Sequence, residues 1–177
     1  NQIGLLVQRI APFRFGKGFS FLHYFTHKMT PLNFPEYNFR LKSENGSEFI
    51  LDEVRKKWLV LTPEEWVRQH AVRYLISEKK YPESLIEIEK QIELNGLVKR
   101  CDIIVNNRSG KPAMIIECKA PSVPITQETF DQAIRYNMTL KVPFLLLTNG
   151  LKHFCFEVKE NSAPVFLKGI PEYDSFS

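Results

Sequence analysis

The sequence predicts a mixed α/β fold, a central sheet flanked by helices, and three observations carry that expectation. Alternation with a period of two recurs in short runs such as Leu85 to Leu94, LIEIEKQIEL. Two other stretches open with a capping threonine and continue with apolar residues at helical spacing. The segments follow one another as helix, three strands, helix, strand, strand, and the turns within the three-strand run are short enough to require antiparallel pairing.

Residues 1–28 stand apart. They hold Arg9, Arg14, Lys17 and Lys28 but no acid, and they are rich in phenylalanine without a clean period. There is no unbroken apolar region of the signal-peptide type, so the segment reads as a basic aromatic appendage preceding a domain that opens at Met29. His23 and His27 have helical ligand spacing, yet no third ligand lies near them. Within 29–52, Asn45-Gly46 between two alternating runs signals a β-hairpin. The core domain is expected over 53–158. Its first helix opens at Thr62-Pro63-Glu64-Glu65, with Thr62 as N-cap, Pro63 in the first turn and Glu65 as the capping-box partner, and runs to about Glu78. Val67, Ala71, Tyr74 and Leu75 share one face of it.

Three strands come next. Leu85 to Leu94 turns at Asn95-Gly96 into Lys99 to Val105, and a polar turn leads to Ala113 to Lys119. Thr126 caps a second helix reaching about Thr139, with Phe130, Ala133, Ile134 and Met138 as its apolar stripe. Phe144 to Thr148 and His153 to Val158 are the last strands, and 159–177 reads as a tail.

Composition narrows the classes. With 44% hydrophobic and 25% charged residues, the chain is a globular one. No run approaches the roughly 18 apolar residues of a spanning helix, so no membrane partner is expected. Three cysteines at no recognisable spacing argue for a reducing, cytoplasmic setting. The net charge of +4 comes from residues 1–28, the rest being balanced. Nucleic-acid affinity would therefore need local clusters such as Arg55-Lys56-Lys57.

The candidate chemistry centres on IIECKAP at 115–121. Glu117 and Lys119 lie two apart on a strand and so share a face, as a structural ion pair or as a site. Antiparallel pairing brings Asp102, near the start of the second strand, to Glu117 at the end of the third. Two carboxylates offer hard oxygen ligands suited to Mg²⁺, and Lys119 could orient or deprotonate a water beside the ion. Gln132 and Tyr136 are neighbours on one helix face, either as a solvent-edge amide and half-buried tyrosine or as groups touching the sheet end. Glu64 points toward a buried stripe and needs a partner, which Arg68 or a metal site would supply. Cys101 and Cys118 face away from the acids and read as core fillers; His70 and His153 read as ordinary.

Together these residues resemble the PD-(D/E)xK nuclease superfamily, and more narrowly the amino-terminal nuclease domain of the type I restriction enzyme R subunit in a stand-alone version. The resemblance covers roughly 53–158 and implies a restriction-endonuclease-like α-β-β-β-α-β core. It implies Asp102 and Glu117 as metal-binding acids, Glu64 as the acid of the first helix, and Lys119 as the catalytic lysine. Gln132-Ala133-Ile134-Arg135-Tyr136 is similar to the Gln-x-x-x-Tyr motif of that lineage. The expected activity is Mg²⁺-dependent hydrolysis of DNA, with Mn²⁺ able to substitute. The expected partners are DNA and either a second copy or a separate motor or recognition subunit. Cys101 stands where the motif's proline is common, and no G-x-x-x-x-G-K-[ST] motif for an ATP-driven motor is present. The alternative is a catalytically inactive module of the same fold that binds nucleic acid or protein.

Overall fold

The computed structural model describes residues 29–94, 97–159 and 162–176. The segment 1–28, with His23 and His27, lies outside the described residues.

The expected hairpin forms from β1 (Leu41–Glu44) and β2 (Ser47–Asp52). Asn45 and Gly46 both take positive φ, 50° and 77°, which a two-residue hairpin turn with the strands' twist requires. A third strand, β3 (Lys57–Val60), pairs antiparallel with β2 and makes a three-stranded sheet. Sequence reasoning did not anticipate it.

The first helix, α1 (Pro63–Ser77), begins at Thr62, whose hydroxyl accepts from the Glu65 N–H at 3.1 Å. It is buried on two sides. Val67, Ala71 and Leu75 join Ile103, Val105, Met114 and Ile116 in the main core. On its other side Trp66 packs with Phe39 and Ile50 of the N-terminal segment. The helix is thus held between two sheets, which explains why its apolar residues do not form a single stripe.

The larger sheet has the order β4-β5-β6-β7-β8-β9. It consists of β4 (Ile86–Leu94), β5 (Leu97–Asn106), β6 (Pro112–Cys118), β7 (Phe144–Thr148), β8 (His153–Glu157) and β9 (Val165–Leu167). The β4-β5-β6 meander is antiparallel, as expected. β6 and β7 are parallel, and the crossover between them is α2 (Gln127–Leu140), capped by Thr126 in a reciprocal box with Thr129. This helix covers the far face of the sheet, where Ala133 packs with Ile104, Ile115, Leu145, Leu147 and Phe156.

Two expectations are corrected here. Met138 is 73% exposed, because the buried line of α2 continues through Asn137 instead. The Asn137 amide closes the helix end by donating to Val142 O at 2.9 Å and accepting from Val142 N at 2.8 Å. The segment 159–177 is also more than a tail. It supplies β9, paired with β8, and buries Tyr173 and Phe176 against Tyr81 in the main core. Three residues of strand carry too little pattern to be read without their partner.

Candidate active site

The register of β5 on β6 sets the site. Ile103 faces Ile116, and one step further along the ladder Asp102 comes beside Glu117. The Asp102 carboxylate is tied into the sheet edge, with Oδ2 accepting from the Cys118 N–H at 2.8 Å. Its other oxygen, Oδ1, faces Arg68 Nη2 of α1 at 3.8 Å.

Glu117 is held differently. Its Oε1 is buried without a hydrogen-bond partner. Burial, first of all, and then the charge of Asp102 push its carboxyl up to about 8, with Glu64 adding to the effect and Lys119 opposing it. Glu117, Lys119, Thr129, Gln132 and Ala133 line one shallow depression between the end of β6 and the first turns of α2. The Lys119 backbone is pinned there by its N–H to Thr148 O at 2.8 Å. Asn149, buried at the end of β7, donates to Val123 O at 2.8 Å and so fixes the loop that leaves Lys119. A wider open cleft of about 450 Å³ beside Val54, Glu83, Ser84 and Ile86 stands apart from these groups and brings no such chemistry.

Of the residues singled out from the sequence, Asp102, Glu117, Lys119 and Gln132 converge. Tyr136 lies on α2 one turn beyond Gln132, and its side chain lies outside the described ones. Glu64 lies on the shoulder of α1, 45% exposed, with Arg68 Nη2 at 3.9 Å. Among the described residues no three His, Cys, Asp or Glu side chains gather closely enough to hold an ion. Glu64 thus adds charge near Glu117 and does not complete a three-carboxylate cluster. The position beside it departs from expectation. Glu65 sends its carboxylate inward, not back to the cap. There it accepts from Gln69 Nε2 at 2.8 Å and faces Arg68 Nη1 at 3.2 Å.

Sequence reasoning read Arg68 only as a helix partner of Glu64. In the structure it is the hub of a charge cluster that also takes in Glu89 Oε1 at 3.2 Å. Glu89 in turn binds Arg55, whose Nε donates to the buried Asp52 at 2.6 Å. No spacing signals this cluster, because its members come from four separate elements.

The thiols and histidines lie outside this chemistry. Cys101 and Cys118 are buried, and burial pushes the Cys101 thiol up to about 12, which leaves it unreactive. The His70 Nδ1 lies 2.9 Å from Trp66 O within an aromatic cage, while His153 spans Thr148 and Asn33.

The donor set suits a hard divalent cation. It offers two neighbouring carboxylates, one of them with a buried oxygen that has no hydrogen-bond partner. Mg²⁺ commonly takes one or two protein carboxylates and completes its shell with water and substrate phosphate.

A family model described as type I restriction enzyme R protein N terminus matches residues 63–171. No curated protein matches the chain. Among solved structures, the chain is similar to a fragment assigned to an HsdR subunit of a type I restriction enzyme from Vibrio vulnificus YJ016. That likeness has a TM-score of 0.52 at 21% identity and covers 66% of this chain and 24% of that one. The chain therefore spans about a quarter of that relative's length, and the likeness bears on the fold, supporting the mixed α/β class expected from the sequence.

Proposed function

The chain belongs to the type I restriction enzyme R protein N-terminus family, and from that premise we propose that it is a Mg²⁺-dependent DNA endonuclease domain hydrolysing phosphodiester bonds. The observation that carries this reading is the meeting of Asp102, Glu117 and Lys119 at the end of β6, with Glu117 Oε1 buried and unpartnered. Asp102 and Glu117 would hold the ion, with Glu64 adding negative charge at longer range. The bound ion supplies Lewis-acid polarisation of the phosphate and offsets charge on the leaving oxygen.

The remaining work falls to the chain. Glu117 would serve there as a carboxylate, its unpartnered Oε1 facing the ion. Lys119, on the same side of the depression, either orients the attacking water and faces the phosphate as an ammonium, or as the neutral amine takes the water's proton. Gln132, across the depression on α2, is placed to fix a phosphate oxygen or the base side of the scissile linkage. The substrate is DNA; the partner is either a second copy of the chain or a separate motor or recognition subunit, and only the latter would provide translocation and sequence choice.

The test compares the chain with its Lys119→Ala variant on supercoiled, linear and single-stranded DNA, with Mg²⁺, Mn²⁺ or EDTA. Cleavage that needs the metal and falls at least about 100-fold in the variant supports the proposal. Equal cleavage by both removes Lys119 from the chemistry. Salt-dependent DNA binding without cleavage under any metal would favour the inactive binding module.

A further inference from the structure

We propose that Arg68 is the positioning residue for Asp102, an inference that rests on the nuclease reading above. Three observations lead to it. Arg68 is 7% exposed, so its charge is committed to the protein interior. It faces acids from three elements, namely Glu65 of α1 at 3.2 Å, Glu89 of β4 at 3.2 Å and Asp102 of β5 at 3.8 Å. Despite its burial, those acids hold the guanidinium firmly in its charged form.

The backbone supplies the second line of argument. Ile88 pairs with Ile103 and Lys90 with Cys101, but the pairing lapses between them, where Glu89 lies opposite Asp102. Glu89 has φ of 52°, in the left-handed region that a glutamate rarely enters. A strained residue of this kind persists only where its surroundings over-determine it. Here the surroundings are Arg55, Arg68 and Arg100, all paired with the Glu89 carboxylate. Arg55 is anchored in turn on Asp52, which is fully buried at the end of β2.

The chain of ion pairs Asp52, Arg55, Glu89, Arg68, Asp102 therefore runs from the small sheet to the metal-binding edge. Its last link sets a guanidinium 3.8 Å from the Asp102 oxygen that the Cys118 amide does not hold. Arg68 touches neither Glu117 nor the depression where the phosphate would lie, so its effect on the reaction passes through Asp102.

Positioning and plain electrostatics predict opposite signs. Removing a cation beside the carboxylates should by Coulomb's law tighten the hold on a divalent ion. Loss of the group that orients a ligand should loosen it, by about tenfold or more. The experiment measures Mn²⁺ affinity of the full chain by electron paramagnetic resonance, without DNA, for wild type, Arg68→Met and Arg68→Lys. We expect Mn²⁺ binding at least about tenfold weaker in Arg68→Met, and an intermediate loss in Arg68→Lys, which keeps the charge but not the planar fork. Unchanged or tighter binding in the variants would overturn the inference and leave the nuclease reading in place. A wild-type chain that binds no Mn²⁺ would overturn both. If Arg68→Met does not fold, Arg68→Lys decides: wild-type affinity in that folded variant counts against a positioning role.

Discussion

Glu117→Gln should make the metal-free protein more stable, and more so as pH rises. Glu117 sits with one oxygen unpartnered, and burial together with Asp102 raises its carboxyl from 4.5 to about 8. A group raised in the folded state stabilises fully below its unfolded value and loses that contribution as pH climbs through the folded one. For Glu117 the loss therefore runs from about pH 4.5 to about pH 8. Taken whole, that displacement corresponds to about 5 kcal/mol at pH 8 and above. Coupling to Asp102 divides the cost between the two carboxyls, and partial exposure screens it, so about 2 kcal/mol is expected at this residue.

The glutamine keeps the shape and cannot ionise. Urea unfolding in EDTA at pH 4.5 should then give similar stabilities for variant and wild type. At pH 8.5 the variant should be more stable by about 2 kcal/mol, which moves the urea midpoint by about 1 M. Added Mg²⁺ should narrow the gap, since the ion stabilises only the protein that binds it. A variant no more stable at pH 8.5 than the wild type would refute the argument that Glu117 is held in an environment hostile to its charge.

Two other outcomes follow from the same structure. His70 is buried among Phe39, Trp66 and other rings, and burial pulls its ring down to about 4 from 6.5. Its contribution is present above pH 6.5 and disappears as pH falls toward 4, so wild type should lose about 3 kcal/mol over that window from this group. His70→Phe should reduce the slope of stability against pH there by about 1.4 kcal/mol per unit, and identical slopes would count against it. Gly150 has φ of +79°, and an added Cβ would lie 2.6 Å from a Leu32 methyl carbon. Gly150→Ala should therefore cost about 1–3 kcal/mol, visible as a lower melting temperature, and a neutral result would show that Leu32 moves freely.

What the sequence made legible follows from periodicity and turn chemistry. The hairpin at Asn45-Gly46, both capped helices and five of the strands of the larger sheet have local signatures, and they appear near the expected positions. Strands β3 and β9 do not. KWLV and VFL are short edge segments that are strands only because β2 and β8 offer them free backbone groups. The site divides in the same way. Asp102, Glu117 and Lys119 were legible because strand alternation and antiparallel pairing place them together without further knowledge. The roles of Glu65, Glu89 and Arg68 were not, since a break in the β4–β5 ladder decides which acids meet the arginine. Glu65 shows the limit most plainly. Its position three residues after Thr62 suits a capping box, yet burial against Gln69 and Arg68 claims its carboxylate.

The distribution of charge around the site also bears on the order in which it fills. Arg55, Arg68 and Arg100 all pair with Glu89 of β4, and Arg68 among them also faces Asp102. Glu117 opens instead toward α2, where Lys119 lines the same depression and draws its carboxyl down against burial and Asp102. A DNA phosphate entering there meets two carboxylates and one ammonium, an unfavourable encounter until a divalent ion offsets the acids. Metal and DNA should therefore bind with positive coupling. Because such coupling is reciprocal, the factor by which Mg²⁺ tightens DNA must equal the factor by which DNA tightens Mg²⁺. On this account the ion binds the two carboxylates first and more weakly, and DNA tightens that hold by the same factor.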